Sequence, residues 1–238
     1  MSPFGRPRRH YRRTSSTNDR GRELAEAGAP QGTIVTAVEQ TQGRGRSGRR
    51  WSAPVGAALL VSAILRPLDQ GHGLLPLAVP LAVCEAIEAL APLGCQVKWP
   101  NDVWISERKV AGVLIEARPP AWAVIGVGVN VAIPDRASPA DLRWPATSVG
   151  HGVGVDDVLA ELCERLARWV DAPAGEVLDA FTTRDALRGR HLRWEGAGDA
   201  AAGAGAGAGI DERGHLLVDA DFGARLSLGA GEVQLALD

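Results

Sequence analysis

Between Cys95 and Ile133 three strand-forming runs follow one another: CQVKW with the adjacent VWI, then KVAGVLIEAR, then WAVIGVGVNVAI. They are rich in β-branched residues and bounded by Pro, Asn and Asp. Pro119 and Pro120 separate the last two, so the sequence predicts a hairpin turned there. Upstream, TIVTAVEQ and AALLVSAIL add two strands. Helical segments lie around them. TSSTNDRGRELAEAG opens on Ser, Thr, Asn and Asp and is stopped by Gly28 and Pro30. The apolar run Leu74 to Leu93 carries Pro76 near its start and Pro80 further in, where a proline kinks or delays a helix. VDDVLAELCERLARWVDA and GEVLDAFTTRDAL complete the set. This order predicts an α+β domain.

From Gly189 the character changes. HLRWE, HLLVDA and RLSLGAGEVQLAL are short strand candidates, separated by turn signals at Asp211–Gly214 and Asp221–Gly223. They predict a small β-barrel appended to the first domain. The run AAGAGAGAGI is either a flexible linker or a strand of period two. The arginine-rich start, Arg6 to Arg13, reads as a mobile tail. The predicted organisation is a basic tail over 1–13, a main domain over 14–188 and a small β domain over 189–238.

A net charge of −2 excludes a polyanion binder that uses its whole surface, so any anion site must be local. No apolar run looks long and uninterrupted enough to cross a membrane, and MSPFGRPRRHYRR has no apolar core after its basic residues. Cys84, Cys95 and Cys163 show no metal-ligand spacing and read as reduced thiols, which predicts a cytoplasmic protein. The five histidines lie near no plausible nucleophile, and read as surface or packing residues.

Four stretches could carry chemistry. GRGRSGRRW, Gly43 to Trp51, combines glycines that admit close backbone approach with arginines that offer planar, permanently charged donors. Consecutive amides there can cradle an anion. Taken alone it fits a solvated loop or a nonspecific RNA contact as well. KWPND, Lys98 to Asp102, ends in an Asp that could turn the chain, orient an arginine or hold a magnesium ion. In RKVAGVLIEA, strict alternation puts Val110, Gly112, Leu114 and Glu116 on one face. Lys109 at its start is solvated, or reaches a pocket floored by Gly112 where no side chain blocks a flat ligand. GVGVN places Gly126, Gly128 and Asn130 on one face, and glycines inside a strand point to something that must come close. GVGVN is not a dinucleotide fingerprint, and no P-loop, GxSxG or HExxH is present.

The order SSTN, EQTQGRGRSGRRW, KWPND, RKVAGVLIE, GVGVN resembles the biotin–protein ligase family, over roughly Thr14 to Val131. The resemblance implies a catalytic domain of the class II aminoacyl-tRNA synthetase-like, biotin–lipoate ligase type, with mixed sheet and helices, plus an SH3-like C-terminal barrel. It implies joining biotin to ATP as biotinyl-5′-AMP, with Mg²⁺, then transfer of biotin to a lysine of a biotin carboxyl carrier domain. Carried over by motif position, Ser16, Thr17, Asn18 and Gln40 would meet biotin, with Gly112, Leu114 and Gly126 lining its slot. Gly43 and Arg44 would belong to a lid over the ligand. Arg46, Arg49 and Lys109 would meet the carboxylate and α-phosphate. Trp51, Asn101 and Asn130 would contact the nucleotide, and Asp102 would stand near the metal and the incoming lysine.

Position 19 is Asp, where many relatives have a longer polar or apolar residue. The residues before SSTN are too few for the DNA-binding helix-turn-helix of bifunctional relatives, which predicts a monofunctional ligase without specific DNA or membrane partners, monomeric or a weak homodimer. The same fold in a lipoate ligase or octanoyltransferase is the neighbouring reading. An RNA-binding protein is the distant one, disfavoured by the acidic balance and the lack of interleaved aromatics.

Overall fold

The structure, a computed structural model, describes residues 4–133, 145–195, 201–229 and 233–235. The larger of its two sheets has seven strands. In chain order they are β1 (Arg8–Thr14), β2 (Ile34–Gln40), β3 (Ala58–Leu65), β4 (Cys95–Lys98), β5 (Asp102–Ile105), β6 (Arg108–Arg118) and β7 (Trp122–Asn130). Their spatial order is β1-β2-β3-β7-β6-β5-β4, with β1 parallel to β2 and every other pair antiparallel. The expected hairpin at Pro119 and Pro120 is present as β6–β7, closed by the pair Arg118↔Trp122.

The basic start corrects the expectation of a mobile tail. From Arg8 to Thr14 it is an edge strand in register with Ile34 to Gln40. RRHYRRT carries no apolar alternation, so periodicity could not find it; an edge strand needs only backbone pairing on one side. Arg8 also reaches Thr36 Oγ1 and Asp156 Oδ1, each at 3.1 Å.

Four helices flank the large sheet: α1 (Thr17–Glu26), α2 (Leu75–Glu88), α3 (Val155–Trp169) and α4 (Ala174–Arg184). β3 is buried along its whole length because it is covered on both sides. Leu59, Val61, Ala63 and Leu65 join the main core with α2 and α3, while Ile64 packs with Ala25 of α1 and Val124. Pro80 does not interrupt α2, which runs through it with Pro80 buried. The lost backbone hydrogen bond is outweighed by burial of an almost wholly apolar helix. By length and composition Gln70–Glu88 is apolar enough to span a membrane, contrary to the sequence reading, but 67% of it is buried inside the fold.

The smaller sheet is antiparallel, ordered β11-β10-β9-β8-β12. Its strands are β8 (His191–Trp194), β9 (Gly203–Ile210), β10 (Leu216–Ala220), β11 (Arg225–Leu228) and β12 (Val233–Leu235). Residues 230–232 and 236–238, part of the last expected strand, lie outside the described residues. The Gly/Ala run is therefore the strand β9. A Cβ at Gly205 would strike the backbone of Asp219 and Ala220, at Gly207 the Leu187 carbonyl, and at Gly203 the Trp194 indole. Glycine there permits approach between backbones, not flexibility.

One core joins the two sheets, with Trp194, Leu216, Val218 and Leu228 in the same cluster as Leu77, Trp99 and Phe181. Trp99 Nε1 donates to the Gly214 carbonyl at 3.0 Å. At the β4 edge, Arg184 forks onto Glu88 with both contacts at 2.7 Å and donates to the Cys95 carbonyl. Partial burial pushes the Glu88 carboxyl up, but Arg184 and the Cys95 amide outweigh it and hold it below the usual range. All three thiols are buried. Cys84 is held up by its hydrogen bond with Cys95 and by burial, and burial pushes Cys163 up to about 11, so neither is a reactive thiolate at neutral pH.

Candidate active site

Strict alternation along β6 would turn Lys109 away from Gly112. The β5–β6 ladder is not regular: Val103 pairs with Ala111 and Trp104 with Lys109, which leaves Val110 as an extra residue. This bulge sends Val110 and Ala111 together into the core. Val110 therefore does not share the Gly112 face, as alternation predicted. Lys109 does, and a Cβ on Gly112 would lie 3.2 Å from its Nζ. Lys109 Nζ donates to Asp102 Oδ1 at 2.6 Å, and Asp102 is only 6% exposed. The ammonium also stands 5.6 Å from the Trp51 ring centroid.

Gly112 pairs with Gly128, and Leu114 with Gly126, so three glycines meet on one face of β6 and β7. The flat group over Gly112 and Gly128 is the indole of Trp51: a Cβ would come within 3.1 Å of it at Gly112 and 2.5 Å at Gly128. Trp51 thus covers the floor that the sequence reading left open for a ligand. Its Nε1 is buried and has no hydrogen-bond partner. At Gly126 a Cβ would collide with the Asn18 carboxamide.

The start of α1 forms the opposite wall. Ser16 caps the helix, its Oγ accepting from Asn18 N at 3.3 Å. Thr17 N and Oγ1 donate to Gln40 Oε1 at 2.7 and 3.1 Å. Asn18 Nδ2 donates to Glu116 Oε2 at 2.8 Å and to the Leu114 carbonyl at 3.2 Å. Ser62 Oγ lies 2.8 Å from Thr17 Oγ1 and 2.6 Å from Asn18 Oδ1. Each of these polar groups is oriented by a hydrogen bond within the protein.

The Gly/Arg stretch is a small hairpin. Trp51 N bonds the Gly43 carbonyl at 2.9 Å and Gly45 N the Arg49 carbonyl at 2.7 Å, with Ser47 and Gly48 at φ 54° and 72° in the turn. Arg44 is held by Asp19 at 2.8 Å and Glu116 at 2.9 Å, and Arg22 pairs with the same two carboxylates at 2.9 and 3.7 Å. Asp19, the departure from the resembling pattern, is therefore one anchor of the loop. Arg46 and Arg49 lie on the pocket side.

One cavity of about 430 Å³ gathers these groups. It takes in Ser16, Thr17, Asn18, Gln40, Arg44, Arg46, Arg49, Trp51, Asn101, Asp102, Lys109, Gly112, Leu114, Gly126 and Asn130. Gly43 does not line it; that glycine sits against the Trp51 carbonyl and Gln40 Nε2, where no side chain fits. Asn101 Nδ2 is spent on the Val113 carbonyl at 2.7 Å and Asn130 Nδ2 on the Thr147 carbonyl at 3.0 Å. Sequence reasoning missed four supporting residues: Asp19 and Arg22 at the loop anchor, Ser62, and the role of Glu116. Ser62 had a signal, a single hydroxyl inside the apolar run AALLVSAIL. Asp19 and Arg22 are a helical i,i+3 pair, but their convergence with Arg44 and with Glu116, which lies 72 residues from Arg44, leaves no local pattern.

The chemistry on offer is counter-charge. Arg46, Arg49 and Lys109 face one cavity with Asp102 as its carboxylate, which suits bringing two anions together. Ser16 and Thr17 are committed to the helix cap and to Gln40, and among the described residues no His or Cys lines the cavity. The arrangement does not offer an activated nucleophile of its own.

Residues 10–130 match the biotin/lipoate A/B protein ligase family. The chain is 34% identical over 235 residues to a biotin--[acetyl-CoA-carboxylase] ligase of Mycobacterium tuberculosis, covering 92% of this chain and 85% of that protein. It is 38% identical over 146 residues to a bifunctional ligase/repressor BirA of Bacillus spizizenii, a match spanning 45% of that protein's length and 59% of this chain. Among solved structures, a biotin protein ligase from Aquifex aeolicus in complex with biotin and ATP superposes with a TM-score of 0.84 at 27% identity, covering 98% of this chain and all of that one.

Proposed function

Because the chain belongs to the biotin/lipoate A/B protein ligase family, we propose that it is a biotin–protein ligase. It activates biotin with ATP and passes it to a lysine of a biotin carboxyl carrier domain. The observation that carries this reading is the bulge that brings Lys109 to the glycine face, against Asp102 and opposite Arg46 and Arg49.

In the first step the biotin carboxylate attacks the α-phosphorus of ATP, an anhydride forms and pyrophosphate leaves. Both reactants are anionic, so the barrier is largely repulsion, and fixed cations lower it. Lys109, Arg46 and Arg49 supply them. The wall of Ser16, Thr17, Asn18 and Gln40 positions the ureido ring, and Trp51 with the loop around it shields the anhydride from water. In the second step a neutral lysine of the carrier attacks the carbonyl, an amide forms and AMP leaves. Asp102 lies where it can take or orient the amine proton.

Asp102 is a single carboxylate with Oδ1 already on Lys109, and no cluster of three His, Cys, Asp or Glu occurs among the described residues. This donor set fits a magnesium ion held chiefly by the ATP phosphates, which would offset phosphate charge.

The test is release of pyrophosphate from MgATP with biotin, then transfer of labelled biotin to the carrier domain of an acetyl-CoA carboxylase. Lys109→Met is expected to slow adenylate formation about 100- to 1000-fold while the fold survives. Wild-type rates in that variant, or turnover with lipoate in place of biotin, would overturn the assignment.

A further inference from the structure

We propose that Ser62, a residue of β3 outside every motif, is a positioning residue that sets the direction of the hydrogen bonds in the wall facing the ureido ring. The proposal rests on the ligase reading above. Ser62 is the one polar side chain of β3 and is 0% exposed. It stands behind the cavity: Leu60 and Val61 line it, and Ser62 does not. An apolar residue would suit a buried strand better, since a buried hydroxyl costs stability unless its hydrogen bonds are made. Both contacts of Ser62 go to the start of α1. Across the β3–β7 ladder Ser62 pairs with Gly126, whose missing side chain leaves the space that the Asn18 carboxamide fills.

The hydrogens can be assigned one by one. Asn18 Nδ2 faces the Leu114 carbonyl and the Glu116 carboxylate, which only accept, so Oδ1 is the atom turned to Ser62. Oδ1 cannot donate, so the single hydrogen of Ser62 lies on it, across 2.6 Å. Ser62 Oγ is then an acceptor towards Thr17 Oγ1, 2.8 Å away. Gln40 Oε1 is an acceptor as well, held by Thr17 N at 2.7 Å and 3.1 Å from Thr17 Oγ1. The one hydroxyl hydrogen of Thr17 is shared between Ser62 and Gln40, both inside the wall, and none is left for the cavity.

Thr17 therefore meets a ligand as an acceptor, and Gln40, its oxygen taken, offers only the hydrogens of Nε2. An acceptor beside a donor matches a cyclic urea, in which N–H and C=O are neighbours. A dithiolane or a plain acyl chain has no N–H to give to Thr17, so the same polarity selects against lipoate and octanoate. Without Ser62, Asn18 Oδ1 loses its donor and Thr17 Oγ1 loses one of its two acceptors. Both side chains are then free to turn.

The experiment follows pyrophosphate release from MgATP over a range of biotin concentrations in the wild-type chain, S62A and S62C. In S62A the KM for biotin is expected to rise about tenfold, the scale of one hydrogen bond, with kcat and the KM for ATP unchanged. The unchanged kcat also shows that the variant folds and that Lys109, Arg46 and Arg49 stand as before. S62C fills the space with a weak donor, so its KM should lie near that of S62A. Added to Thr17→Val, S62A should raise KM distinctly less than it does alone, because one of its two contacts is already gone. A wild-type KM in S62A, a KM restored in S62C or full additivity with Thr17→Val overturns the proposal. Loss of folding in both Ser62 variants overturns it too, since Ser62 would then be a structural residue. If the wild-type chain releases no pyrophosphate with biotin, the ligase reading itself falls, and the role of Ser62 with it.

Discussion

The three glycines on β6 and β7 differ in what a methyl group would cost. At Gly126 the obstacle is the Asn18 carboxamide, which is pinned by Ser62 on one side and by Glu116 and the Leu114 carbonyl on the other. Nothing there can give. At Gly128 the obstacle is Trp51, carried on a surface hairpin that can move. Gly126→Ala is therefore expected to lose about 1–3 kcal/mol of stability, the range for overpacking a fixed site, and Gly128→Ala distinctly less. Denaturant unfolding of the two variants, side by side, measures this. Equal losses would mean that the hairpin is as rigid as the helix cap. The glycines were visible in GVGVN as places of close approach. What approaches was not visible, because it is the chain's own Asn18 and Trp51, distant in sequence.

The elements were largely legible. The runs TIVTAVEQ, AALLVSAIL and KVAGVLIEAR are strands because β-branched and apolar residues cluster in lengths that suit a buried sheet. The helices were read from their apolar runs and, for α1, its cap, whereas GAGAGAGI stood open between linker and strand and is the strand β9. β1 was not legible, since RRHYRRT has no apolar face and is held by backbone bonds. Nor was the register of β5 against β6, which is a tertiary property. That register can be tested by deleting Val110, which would regularise the ladder and rotate Lys109 to the far side of β6. Adenylate formation should fall as far as it does in Lys109→Met, about 100-fold or more, although the lysine is still present in the chain. A much smaller loss would show that Lys109 reaches the cavity without the bulge. Of the candidate site, the motif residues line one cavity, except Gly43, while the convergence of Arg44 and the Asp19–Arg22 pair on Glu116 escaped any local reading.

Across the whole molecule, stability should carry an acid signature from Glu88. Its carboxyl is held below the usual range in the fold, so the unfolded chain binds the proton more readily. The contribution is present above the ordinary carboxylate range near about 4.3, and is lost as pH falls through the lower folded value. Glu88→Gln should cost about 1–2 kcal/mol at neutral pH by removing the charged partner of Arg184, and less in acid. Denaturation midpoints of the two proteins from pH 7 down to about pH 3 should converge. Midpoints that stay parallel would place the acid sensitivity elsewhere. The indole bond from Trp99 to the Gly214 carbonyl has a consequence of its own. Trp99 lies three residues before Asp102, so the last third of the chain props up the very turn that presents this carboxylate to the cavity. The segment that defines the family ends near residue 130, but no minimal enzyme can be cut there; shortened to its signature, the chain would keep its motifs and lose the scaffold that makes them work.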